Sequence, residues 1–500
     1  MLLADILRRF GRTSVRLRDS KLKEAAEVAA VPQLHRALGA LDLVLLNIAA
    51  IVGLRWLSVA AQIGPSSLTL WGLGMITFLV PSALTVLELS SRVPGEGGIY
   101  LWSRTAFGDL HSFIAGWSYW IANLVFFPSM LLFGAGAFLY VHGGTWLTLA
   151  DNPIYNGGFC LAALWLATGL NIVGLERAKW LQNLGGVATW VIGALILCGG
   201  ALAWYKFGAA TPISASALVP NLKSSATLAS FSTIALAFAG LELGPIMGGE
   251  IKDPRRSIGR ALLIACVAIT VLYIAGTAAL LVALPAQSIN AISGVPQALT
   301  TIALRVGLPA FGIIAAALLT VSQVGGLGAW ITGTARLPFL FGLDRYMPKA
   351  LGAVHPKYGS PHVALVTQGI LVTIVLMGAL SGSAIHDAYF VLVDMTVILS
   401  LLPLLYMFAA LPVLRHRALG DHPELRPIPG GKFACWLVAG SGFSVTTLAI
   451  LFAMIPPADS ANRAVFALKV IGGSVALIAI GLVFYVRGRR SGLPVAREHI

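Results

Sequence analysis

Apolar blocks of about 20 residues recur along this chain, and that length decides what it can fold into. An α-helix rises about 1.5 Å per residue, so such a block crosses a hydrocarbon core roughly 30 Å thick. The runs 261–284 (ALLIACVAITVLYIAGTAALLVAL) and 464–486 show the pattern plainly. Hydrophobic residues make up 57% of the 500 positions and charged residues only 11%. A soluble domain carries about 25% charged residues and cannot hide so much apolar surface. Inside a bilayer each spanning segment must satisfy its own backbone polar groups, which selects helices. The sequence therefore predicts an all-α polytopic membrane protein of about twelve transmembrane helices. The expected spans are 39–62, 66–90, 112–141, 157–175, 180–204, 226–249, 261–284, 308–335, 362–380, 387–412, 433–455 and 464–487.

Charge gives these spans a direction. Of 34 Lys and Arg residues, 28 fall in the segments that share a side with the two ends, and only Lys206, Lys223, Arg305 and Arg463 fall in the opposite loops. Basic residues are retained on the cytoplasmic side, so both termini are expected there, in a multi-pass protein of the cytoplasmic membrane. The first 38 residues are basic and lack the short apolar core and cleavage site of a signal peptide. A net charge of +14 could suggest nucleic acid, but these charges flank spanning helices. Anionic lipid headgroups are the expected partner, and no nucleic acid is.

Other chemistry finds little footing. The four cysteines, Cys160, Cys198, Cys266 and Cys435, sit in or beside apolar spans with no close pair, so no disulfide is expected. Nine histidines show no ligand spacing, and the sequence calls for no metal and no cofactor. There is no nucleophile elbow, phosphate-binding loop or embedded catalytic pair, so no enzyme activity is expected.

Two spans look interrupted. The first contains Asn47, Gly53 and then Arg55-Trp56 near its middle. A central arginine costs about 2.5–3.5 kcal/mol to insert, so it should face an aqueous cavity or a carboxylate. The sixth contains Phe238-Ala239-Gly240-Leu241-Glu242-Leu243-Gly244-Pro245, where glycine and proline loosen the helix around a second ionisable group. If helices 1–5 and 6–10 are repeats, the breaks correspond, and an odd number of spans inverts the second copy. Matched interruptions mark a central site, because freed N–H and C=O groups are available to a polar ligand. The bland alternative is that the glycines only permit close packing. Arg55 and Glu242 favour the cavity. Arg55 either pairs with Glu242 or Asp394, or meets a substrate carboxylate. Asp394, in the tenth span with Thr396 behind it, either lines the cavity or caps a helix pair.

Four stretches then match a known family. Glu88-Leu89 is followed by Val93-Pro94-Gly95-Glu96-Gly97-Gly98-Ile99-Tyr100-Leu101-Trp102 and Ala106-Phe107-Gly108. Phe238-Ala239-Gly240-Leu241-Glu242 runs on to Gly249-Glu250-Ile251-Lys252-Asp253-Pro254-Arg255-Arg256. Thr334-Ala335-Arg336-Leu337-Pro338-Phe339 leads to Gly342-Leu343-Asp344-Arg345-Tyr346-Met347-Pro348, and His355-Pro356 to Gly359-Ser360-Pro361. In this order the chain resembles the amino acid–polyamine–organocation superfamily of transporters over nearly its whole length. The stretch from Asn47 to Trp102 is most similar to the glutamate/γ-aminobutyrate antiporter branch. Read without the family, the same loops carry turns and cytoplasmic charges, with Pro94 and the glycines after it leading into a short amphipathic piece. Topology and gating are the expected roles of most of these residues.

The resemblance implies a leucine-transporter-type fold of two inverted five-helix repeats plus two helices. The parts would be a cytoplasmic basic segment (1–38), a first repeat (39–204), a second repeat (226–412), helices 11–12 (433–487) and a cytoplasmic tail (488–500). It implies substrate binding by the first break (Ala50, Ile51, Val52, Gly53, with Arg55 beside it) and the sixth (Phe238, Ala239, Gly240). Trp330 matches a tryptophan beside the substrate, Leu236 stands where relatives carry an aromatic gate, and Glu242 matches an inner-gate glutamate. Glu242 and Asp394 are the candidates for gating or coupling. Departures are visible. Only Gly53 remains of a Gly-Ser-Gly triplet at the first break, and Thr189 stands where some proton-coupled members carry lysine. Thr320 and Ser322 are the candidate oxygens for sodium coupling.

The reading is a secondary active transporter of an amino acid or related amine, working by exchange or proton-linked uptake. The rivals are a polyamine or organocation carrier using Glu242 and Asp394, and a non-transporting receptor with a carrier fold. Relatives that dimerise make the resemblance compatible with a homodimer.

Overall fold

The computed structural model describes residues 52–95, 97–143, 145–246, 254–344, 346–381, 385–417, 427–456 and 463–490. Ala50 and Ile51 of the expected site lie outside the described residues. In chain order the helices are α1 (Arg55–Ala61), α2 (Ser66–Arg92), α3 (Ile99–Phe107), α4 (Asp109–His142), α5 (Pro153–Ile172) and α6 (Leu175–Phe207). They continue as α7 (Ser225–Ala237), α8 (Leu243–Ile246), α9 (Pro254–Ala283), α10 (Gly294–Val306) and α11 (Pro309–Leu343). The last four are α12 (His362–Leu380), α13 (Ile385–His416), α14 (Gly431–Ala453) and α15 (Arg463–Arg490).

Among the described residues, nine helices are long and apolar enough to cross a bilayer. Three of the expected spans fall outside that set for visible reasons. The first is described only from Val52, the fourth is the 20-residue α5 with its Asn156 and Asn171, and the sixth is split into α7 and α8. The sequence prediction of a 157–175 helix followed by a loop is also adjusted. The side chain of Asn152 caps α5 by accepting from the N–H groups of Ile154 (2.9 Å) and Tyr155 (3.2 Å), so the helix starts earlier. Gly174, at φ 116°, then turns the chain straight into α6.

Two short helices lie between spans, apart from the short pieces of the two broken ones. The expected amphipathic piece is α3. Its counterpart α10 is a finding, since the sequence reading leaves that stretch as loop. Val295, Ala298, Leu299, Ile302 and Ala303 of α10 are buried, a single face at helical spacing. One short helix follows the second span and the other follows the seventh.

The bundle is organised around α4, 78% of whose most apolar window is buried, against 17% for α15. A close backbone crossing joins α6 to α11. A Cβ on Gly185 would stand 2.6 Å from the Cα of Gly325, and one on Gly325 would stand 2.7 Å from the Leu181 carbonyl oxygen. Small residues let membrane helices approach to backbone contact. A turn further on, the hydroxyls of Thr189 and Ser322 hydrogen-bond at 2.6 Å. The place expected for a coupling lysine is thus filled by a neutral hydroxyl pair. Thr320 donates to the carbonyl of Ala316 (2.9 Å) within its own helix.

Gly325→Leu should therefore lower the thermal midpoint of the detergent-purified protein, by the equivalent of about 1–3 kcal/mol of overpacking. Gly440→Leu, where a Cβ meets nothing within 4 Å, should leave the midpoint unchanged. Equal midpoints for both variants would show that the crossing is not tight.

Candidate functional site: a cavity between two broken helices

The first break is irregular at Val52 and Gly53, and α1 begins at Arg55. Glycine is needed at 53 for space. A Cβ there would stand 2.4 Å from the indole nitrogen of Trp56. The second break separates α7 from α8. Phe238 and Ala239 close the end of α7 through bonds to the carbonyls of Ala235 (3.2 Å) and Leu236 (2.9 Å), and Gly240 at φ 119° reverses the path.

A bilayer supplies no hydrogen-bond partners to a broken helix, so side chains must. Tyr273 of α9 serves both breaks. Its hydroxyl accepts from the N–H of Gly53 (3.0 Å) and donates to the carbonyl of Ala237 (3.1 Å). Its ring packs against Trp71 (4.4 Å between centroids) and Phe238 (5.7 Å). Trp71 is itself held by an indole N–H bond to Thr277 (2.9 Å). Glu242 completes the second break. Its two carboxylate oxygens each accept from the N–H of Gly240 at 3.0 Å, and Tyr119 of α4 donates its O–H at 2.9 Å.

Between the breaks lies a small cavity with about 20 Å³ open to the centre of a water molecule. That is room for a water, far below the roughly 300 Å³ of a small-ligand pocket. Arg55 and Trp56 come from α1; Tyr119, Asn123 and Phe126 from α4; Leu236, Ala239 and Glu242 from the second break. Trp330 closes it from α11, and Thr396 and Ser400 from α13.

Arg55 is 2% exposed and makes no ion pair among the described residues. Of the two readings of Arg55, the ion pair with Glu242 or Asp394 is not seen among the described residues. Its guanidinium carbon lies 4.3 Å from the ring centroid of Trp56 and 4.4 Å from that of Phe126. Each ring contributes about 0.5–2 kcal/mol, so two together offset much of the insertion cost. Rings take up the π face of the guanidinium and not its N–H edge. The Nε–H has no acceptor.

Of the residues singled out from sequence, Arg55, Leu236, Ala239, Glu242 and Trp330 line this cavity together. Others do not. Val52 lies at an apolar crevice between α6 and α9. Gly53 spends its N–H on Tyr273, and Phe238 is buried with Trp71 and Tyr273. Gly240 forms the turn and gives its N–H to Glu242. Asp394 is buried but does not line the cavity, since Thr396 and Ser400 of the same helix do. The residues missed from sequence are chiefly Tyr119, Asn123 and Phe126. Their spacing of four and three places them on one helical face, a signal diluted in a helix rich in aromatics.

Loops close the cavity from the basic face. The N–H of Gly97 donates to the carbonyl of Ile246 (3.0 Å), Tyr100 donates its O–H to Asp344, and Arg104 pairs with Asp344 at 3.1 Å. Burial, with the Asp344 carboxylate beside it, pushes the Tyr100 phenol well above its usual range and keeps it a donor. Glu88 binds Arg92 (2.7 Å), Arg415 (3.1 Å) and the N–H of Ile428 (2.8 Å). On the opposite face α10 covers α1, and Gln62 donates to the carbonyl of Ile289 at 3.0 Å. Among the described residues, contacts of this kind flank the cavity on both sides.

Tyr273→Phe should leave Gly53 with a buried unpaired N–H, at about 1–3 kcal/mol. The thermal midpoint should fall, while Tyr205→Phe, on a side chain 88% exposed, should not move it. No difference between the two would remove Tyr273 from this role.

Comparison with known proteins agrees with this architecture. A model of the amino acid permease family matches residues 38–476. An uncharacterized transporter of Legionella pneumophila is 29% identical over 452 residues, 90% of this chain and 96% of its own. A glutamate/gamma-aminobutyrate antiporter of Lactococcus lactis is 26% identical over 400 residues, 78% of each chain. A glutamate/serine transporter of Bacillus subtilis is 28% identical over 348 residues, 67% of this chain and 64% of its own. The crystal structure of MhsT in complex with L-phenylalanine shares the fold at a TM-score of 0.53, covering 91% of this chain and 99% of that one at 15% identity. The chain belongs to the amino acid permease family, and it is a membrane transporter with the leucine-transporter-type fold.

Proposed function

We propose that this transporter carries a small zwitterionic or anionic amino acid and that Arg55 binds the substrate's carboxylate. One observation carries the reading: a buried cation at the cavity wall whose Nε–H has no acceptor. A carboxylate matches the edge of a guanidinium and can be held by two parallel N–H bonds. Among the described residues the one carboxylate lining the cavity, Glu242, already accepts from Gly240 and Tyr119. That weighs against a polyamine or other organocation. Two relatives are named for glutamate, one with γ-aminobutyrate and one with serine, which agrees with a small acidic or zwitterionic substrate.

In this reading the structure is an occluded state, and alternating access widens the cavity toward one face at a time. Opening the basic face separates α3 from α8 and from Asp344. Glu242 is the gating residue, because it fastens the second break to α4 through Tyr119. The charge asymmetry supports a cytoplasmic-membrane protein with both termini and the basic face inside.

Purified protein in liposomes tests this. Uptake of labelled glutamate, serine and γ-aminobutyrate should be measured with and without internal counter-substrate. Stimulation by internal substrate is the expected outcome for exchange, and indifference to it points to proton-linked uptake. Arg55→Met should raise KM by at least about 30-fold, the equivalent of about 2 kcal/mol for a lost carboxylate–guanidinium pair. Its thermal midpoint should stay level or rise, since a buried charge is removed. Transport of polyamines alone, or a native KM in Arg55→Met, would overturn the reading.

A further inference from the structure

Away from the central cavity, the basic face carries a second cleft of about 340 Å³. Among the described residues three cations line it, Arg177, Arg336 and Lys357, against one carboxylate, Glu176. They come from the first turn of α6, from α11 and from the turn before α12, stretches distant in sequence. Arg336 is 3% exposed and forms the floor, where its guanidinium donates to the carbonyl of Thr332, while Arg177 and Lys357 stand exposed at the rim.

The walls are fixed by their own bonds. Thr332 donates its hydroxyl to the Asn171 side chain, and Ser360 donates its hydroxyl to the carbonyl of Ile172 at 2.7 Å. The N–H groups of Lys357 and Tyr358 donate to the ring of His355 at 3.2 and 3.3 Å. The 33-residue α6 starts here on Gly174, which offers no side-chain cap. The Gly174 carbonyl takes the N–H of Arg177 at 3.1 Å, which leaves the N–H groups of Leu175 and Glu176 and the positive end of the dipole for an anion. The cleft also lies at a defined depth. α5 ends at Ile172, α6 starts at Leu175, α11 ends at Leu343 and α12 starts at His362. Span ends mark the level of lipid headgroups.

We propose that this cleft binds a phosphate-bearing anion and that the source is the headgroup of an anionic phospholipid. The Arg177 fork and the Lys357 point charge suit a phosphate diester, and the volume suits a headgroup with its glycerol. The acyl chains would lie along the apolar outer faces of the helices that end there. A bound lipid would tie α5, α6, α11 and α12 together. This site is separate from the Arg55 cavity and does not depend on what that cavity carries.

Thermal unfolding in a neutral detergent at fixed ionic strength reads the binding, because a ligand of the native state raises its midpoint. The probes are phosphatidylglycerol, phosphatidylcholine of the same acyl chains, and inorganic phosphate. Phosphatidylglycerol should raise the midpoint above that in phosphatidylcholine for the native protein. It should do the same for the control Arg489→Gln/Arg490→Gln, which removes two exposed charges from the same face. Arg177→Gln/Lys357→Gln should lose at least half of the rise. An equal rise in both double variants would reveal only diffuse charge attraction and overturn the proposal. No rise in the native protein would overturn it too. If inorganic phosphate alone produces the rise, and Arg177→Gln/Lys357→Gln abolishes it, the anion site stands and the lipid source is overturned.

Discussion

A helix broken in a bilayer exposes backbone groups that lipid cannot satisfy, and this chain breaks two helices at one level. The Tyr273 hydroxyl answers both at once, accepting from Gly53 and donating to Ala237. Glu242 answers the remaining turn through Gly240 and extends the tie to α4 through Tyr119. The cavity exists because these bonds hold the two breaks apart from regular helix and close to each other. Its dimensions follow from them, and so does the placement of Arg55 at its wall.

Arg55 shows how a buried charge can be kept without being neutralised. A structural ion pair with Glu242 would lock the first break to the second and leave nothing for a ligand. Trp56 and Phe126 instead solvate the cation through their ring faces. Trp330 packs edge-on against Phe126 at 5.6 Å and Trp56 stacks on it at 6.4 Å, so the aromatic wall holds itself in position. The guanidinium keeps hydrogen-bonding capacity that an incoming carboxylate can use. Binding such a group would also complete the electrostatics of the closed cavity, which is a physical reason for closure to favour the loaded state.

Much of this was legible in the sequence, because the governing constraints are local. Twenty-residue apolar runs announce the long helices. Gly53 beside Arg55 and Gly240 beside Glu242 announce the breaks. Partners were not legible. Tyr273 lies 220 residues from Gly53, and no periodicity reports such a pairing. Arg55 was expected to seek a carboxylate, yet the nearest favourable partner was its own neighbour, Trp56. Asp394 stood out as a charge in an apolar span, but helical rotation aims Thr396 and Ser400 at the cavity instead. The helix α10 escaped notice because a short amphipathic stretch between two long spans reads as loop.

The central claim is that Arg55 reads a carboxylate in the cavity between the breaks. Calorimetric binding to the purified protein tests it with matched pairs, each an amino acid and the amine left when every carboxylate is removed, alongside amino acids that differ in the side chain alone. The account predicts that at least one amino acid binds, that its decarboxylated amine does not, and that Arg55→Met abolishes the difference between them. Equal affinity for the amino acid and its amine, unchanged in Arg55→Met, would contradict it.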